Sequence, residues 1–78
     1  MKAKFYIYGY VQTAIHLQES IHIISLPKVG EIMNTNYFKN KYKNIGLTST
    51  RFEVCEIEHL YDDDMLLKFI KIELKKIN

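Results

Sequence analysis

Two stretches near opposite ends of the chain alternate residue by residue between two kinds of side chain. In "AKFYIYGYV", residues 3–11, Phe5, Ile7 and Val11 fall on one parity, while Tyr6, Tyr8 and Tyr10 fall on the other. In "LLKFIKIELKK", residues 66–76, Ile70, Ile72 and Leu74 oppose Lys71, Glu73 and Lys75. Period two belongs to strands, because successive Cβ atoms point to opposite faces of a sheet. With both ends committed in this way, 78 residues leave room for one small β domain spanning 1–78.

Between these ends the punctuation is sparse. Pro27 is the one proline, and it interrupts "ISLPKVGEIMN". It forces Leu26 to be extended, cannot donate to a sheet ladder, and suits the second position of a tight turn. Gly30 follows three places later as a residue tolerant of positive φ. The segment therefore reads as strand, turn, new strand. "QTAIHLQE", residues 12–19, reads as a loop, and "KNKYKNIGLTST", residues 39–50, as a polar loop turning at Gly46. In "RFEVCEIEHLY" the apolar parity slips by one between Val54 and Cys55, which a β-bulge there would absorb. The expected strands are 3–11, 20–26, 31–38, 51–60 and 66–75. They form a mainly β, five-stranded antiparallel barrel. The rival for the C-terminus is a helix N-capped by Asp64, with Leu66, Phe69, Ile70, Leu74 and Ile77 on one face, which would make the domain α+β.

A 47% apolar and 13% aromatic content argues for a packed core rather than disorder. Cys55 has no cysteine partner, which favours a reduced, cytoplasmic setting. No run approaches the roughly 20 apolar residues that cross a bilayer as a helix, and the alternating N-terminus lacks the form of a signal peptide. The net charge of +2 is small but unevenly spread. Residues 52–64 hold six acidic side chains and neither lysine nor arginine, whereas the segments on either side are basic.

The run "LPKVGE", followed by "FEVCEIEH" and "IKIEL", resembles short, mostly uncharacterised bacterial small-β-barrel (SH3-like) proteins with an LPxVGE turn. The resemblance covers about the last two-thirds of the chain. It implies a small-barrel architecture and brings no activity, cofactor or catalytic residue.

Catalysis and metal binding find little support in the residues. His16, His22 and His59 with Cys55 and Asp62–Asp64 are ligand types, but no CxxC or HxxxH spacing occurs. Cys55 lies among apolar and acidic neighbours, which disfavour a thiolate, and no serine sits in a GxSxG elbow. No cofactor, enzymatic activity or small-molecule substrate is expected. Two binding classes remain. A protein partner, or a second copy, would be met by the tyrosine stripe Tyr6, Tyr8 and Tyr10, since tyrosine combines large area with a polar tip. A module of this kind could act as a small inhibitor by occluding a partner's surface. The alternative is single-stranded nucleic acid on an extended "NYFKNKYKN". There Tyr37, Phe38 and Tyr42 would offer stacking surfaces, and Lys39, Lys41, Lys43 and Arg51 would meet phosphates.

Overall fold

A computed structural model of the chain describes residues 2–8, 15–16, 21–45 and 47–77, with backbone alone for 15, 16 and 45. Strand β1 (Lys2–Tyr8) and the hairpin β5 (Arg51–Tyr61) and β6 (Leu67–Ile77) carry the alternation seen in the sequence. Short strands β2 (Ile15–His16) and β3 (Ile21–His22) lie one after the other along β1, and β4 (Ile32–Asn34) lies along β5. The order across the sheet is β2 and β3, then β1, β6, β5 and β4. Five strand positions thus make a curled sheet, a half-barrel rather than a closed one.

The sheet is mixed, which corrects the expectation of an antiparallel barrel. β1 runs parallel to β6 from Ala3 opposite Ile70 to Tyr8 opposite Lys75, while the other pairs among the described residues are antiparallel. Period-two alternation fixes which side chains share a face but is the same for either strand direction, so the pattern could not reveal this. The rival C-terminal helix is also set aside, because residues 67–77 are continuous strand between β1 and β5.

Alternation sends Ala3, Phe5 and Ile7 of β1 and Ile70, Ile72 and Leu74 of β6 to one fully buried side. Phe52 and Val54 of β5 join them. The expected bulge lies where the register of β5 shifts between Val54 and Glu56, leaving Cys55 exposed and without a cross-strand partner. Beyond it Ile57 faces Ile72, so the apolar side is recovered after one extra residue.

The middle of the chain departs most from expectation. The strand expected over 31–38 ends at Asn34, and Tyr37–Lys41 form a short helix, α1, followed by a 3₁₀ turn at Lys43–Ile45. The Thr35 hydroxyl accepts a hydrogen bond from the Tyr37 N–H (3.1 Å), one of the donors a helix start leaves unsatisfied. Phe38 is the reason the helix holds its place. Its ring stands edge-on to Phe5 (5.5 Å between centroids) and to Phe52 (5.4 Å), filling one end of the half-barrel. Tyr42, one helical turn on, packs against the same core, and its carbonyl accepts from the N–H of buried Leu47. The expected strand over 20–26 shrinks to Ile21–His22, because the chain bends at Ile24–Ser25 and leaves Ile24 fully exposed. Among the described residues no helix is long and apolar enough to cross a membrane.

Candidate binding cleft

The segment around Pro27 builds the most site-like feature of the molecule. The turn proper is Lys28–Glu31, closed by the Glu31 N–H donating to the Lys28 carbonyl (3.0 Å). Gly30 is its third residue with φ +91°, the conformation a type II turn requires there. Pro27 therefore precedes the turn instead of occupying its second position. The Glu31 carboxylate accepts from the Lys28 N–H (2.9 Å), which holds the turn's shape. One side of the turn is stitched to β5, since the Gly30 N–H donates to Val54 (2.7 Å) and the Val54 N–H donates to Glu31 (2.9 Å).

The two arms leaving this turn attach to different strands. The arm before Pro27 leads back to β3, where Ile21 pairs with Ala3 of β1, and the arm after Gly30 becomes β4 on β5. Because β6 separates β1 from β5, the curled sheet leaves a cleft between the arms. Two adjoining cavities of about 280 Å³ and 220 Å³ occupy it, and both are walled by Phe5, Ile23 and Met33. The first extends toward Leu26, Pro27 and Glu31, the second toward Ile21, Tyr37 and Phe38. At the second, Lys41 Nζ lies 5.9 Å from the centre of the Tyr37 ring. Among the described residues β4 has a strand on one side only and forms an edge of the sheet beside this cleft.

The tyrosine stripe lies on the opposite, convex face. Tyr6 is half-buried and Tyr8 exposed, whereas Tyr10 lies outside the described residues. Their neighbours come from the cross-strand rows Lys4–Lys71–Glu58, Tyr6–Glu73–Glu56 and Tyr8–Lys75–Glu53. Lys71 Nζ sits 4.9 Å from the centre of the Tyr6 ring and 3.3 Å from the Glu73 carboxylate. Tyr8 donates to Glu73 (3.2 Å), and Lys4 covers Phe69 at 4.3 Å. The rings are thus dressed with charges. Glu56 lies directly across from Glu73, and its carboxyl is raised above the ordinary range, first by a hydrogen bond shared with Glu73 and then by that residue's charge. Tyr8 is raised by partial desolvation and by Glu73, and Lys71 is raised by its hydrogen bond to Glu73.

The residues of the nucleic-acid alternative do not form an extended ribbon, since Tyr37–Lys41 are helical. Phe38 is buried in the core, Tyr42 is half-buried against it, and Tyr37 keeps an exposed ring. Lys39, Lys41, Lys43 and Arg51 are exposed, with Arg51 opposite Asn34 at the start of β5. Among the described residues no group of histidine, cysteine and carboxylate side chains could hold a metal ion.

Two features escaped the sequence reading. One is the cleft, whose only sequence signal was the unmatched hydrophobicity flanking Pro27. The other is the tip of the β5–β6 hairpin, where Tyr61, Met65, Leu66 and Leu67 are all exposed beside Asp62–Asp64. Asp62 organises that tip: its carboxylate accepts from the N–H groups of Asp64 (2.8 Å) and Leu66 (3.0 Å). Comparison of the chain with protein-family models, curated proteins and solved structures returns no match.

Proposed function

We propose that this chain is a non-catalytic protein-binding module that receives an extended apolar segment in the cleft between its 21–27 arm and β4. The observation that carries this reading is the juxtaposition of an open sheet edge with two cavities that share the apolar walls Phe5, Ile23 and Met33. An edge strand offers main-chain hydrogen bonds to a guest, and adjoining cavities accept alternate side chains of it, the two parts of recognition by strand addition. Binding of this kind hides the guest's segment, which is how a small inhibitor by occlusion would work. The convex tyrosine face is less suited to the task, because Tyr6 and Tyr8 already contact Lys71 and Glu73.

Fluorescence anisotropy with dye-labelled extended peptides tests the reading. The probes carry two apolar residues separated by one, followed by an acidic residue to meet Lys41. Saturable binding that is lost when proline replaces the residue between the apolar pair is the expected result. No binding by any probe, or equal binding of scrambled probes, would overturn it.

A further inference from the structure

The hairpin tip and the cleft are complementary surfaces on one molecule. We infer that the occupant of the cleft is a second copy of this chain, which inserts the tip of its β5–β6 hairpin. This rests on the cleft being a binding site.

The tip presents apolar side chains that a monomer leaves in water, with Met65 at 74% and Leu66 at 65% of full exposure. Exposed clusters of this sort on small soluble domains mark contact surfaces. The cleft supplies the converse, cavities walled by Phe5, Ile23 and Met33 with room for such side chains. Charge matches as well. The tip carries Asp62, Asp63 and Asp64, while next to the cleft's lining residues stand Lys41, over the ring of Tyr37, and Lys28, in the turn between Pro27 and Glu31. Among the described residues the one acid lining the cleft, Glu31, is engaged by the Lys28 N–H.

The tip cannot reach the cleft of its own chain. β4 pairs with β5 at Arg51–Glu53, and the tip begins eight residues farther along the same paired strand. At the strand rise this separates them by about 27 Å. Since each copy has one tip and one cleft, reciprocal insertion closes a two-fold dimer and leaves neither surface exposed.

Light scattering on the full chain across concentration and salt tests this. The expected result is a dimer at high concentration that weakens with added salt, because the acidic tip and basic rim attract. Leu66→Asp should leave the far-ultraviolet spectrum unchanged and weaken dimerisation by at least about tenfold. Met33→Lys in the cleft should do the same, and Lys28→Glu with Lys41→Glu serves if that variant fails to fold. Mixing the tip variant with the cleft variant should restore a one-to-one dimer, since one intact tip and one intact cleft remain. A monomer at every concentration, or a dimer indifferent to Leu66→Asp, would overturn the second-copy inference. A monomer that still binds the labelled peptides would leave the cleft reading standing, whereas a monomer that binds none would remove both.

Discussion

Phe38 meets Phe52 edge to face, with ring centroids 5.4 Å apart and planes at 81°. This contact joins a five-residue helix, too short to be stable alone, to strand β5 of the sheet. It also fixes Tyr37 and Phe38 as the end wall of the second cavity. Core packing and cleft shape therefore depend on the same ring.

Phe38→Ala should cost about 3–5 kcal/mol, the usual range for emptying a buried aromatic site. A domain of this size holds roughly 5–15 kcal/mol at most, so urea unfolding should show a large fall in midpoint. Phe38→Leu should cost clearly less. Equal stability of Phe38→Ala and the parent chain would show that α1 does not plug the half-barrel.

Met65 has φ +65° at the hairpin turn, where its N–H donates to the Asp62 carbonyl (3.0 Å). A side chain in this left-handed region costs about 1–2 kcal/mol that glycine avoids. Part of the gain is offset by glycine's larger loss of freedom, about 0.5–1 kcal/mol. Met65→Gly should therefore raise the unfolding midpoint modestly while weakening self-association. A lower midpoint would contradict the turn geometry.

Gly30→Ala should act in the opposite direction. Nothing lies within 4 Å of where the new Cβ would be, so the effect is purely one of backbone conformation at φ +91°. A loss of about 1–2 kcal/mol is expected by denaturant titration, and no loss would mean that the Lys28–Glu31 turn is free to change type.

Glu56 and Glu73 supply a pH signature. The folded state raises the Glu56 carboxyl above its ordinary value, so folding favours its protonated form. That contribution is fully present below the ordinary carboxylate value and is lost as pH rises through the raised one. Glu56→Gln should consequently be more stable than the parent at neutral pH, with the difference vanishing in acid. Thermal unfolding at several pH values checks this, and a difference that grows on acidification would contradict it.

The sequence made the faces of β1, β5 and β6 legible, because Phe5, Ile7, Ile70, Ile72 and Leu74 alternate cleanly with polar partners. The slip at Val54–Cys55 even located the bulge. Strand direction was not legible, since parity is blind to it. Nor was α1: Phe38 and Tyr42 are four apart, a spacing that shares a face in a helix and in a strand alike. Thr35 and Asn36 before Tyr37 were the available helix-start signal, and the Thr35 hydroxyl does accept from the Tyr37 N–H. The cleft depends on two arms diverging from one turn, a relation among distant strands that no local pattern contains. The tyrosine stripe drew notice through its alternation, yet its value as a surface depended on Lys71 and Glu73, more than sixty residues away.

Methyl-selective NMR, with isoleucine and methionine labelled and peptide or protein concentration raised stepwise, tests the open cleft most directly. Shifts should concentrate on Ile21, Ile23 and Met33 and leave Ile57 of β5 unmoved. Shifts that spare those three methyl groups, or that centre on the convex face around Tyr6 and Tyr8, would contradict it.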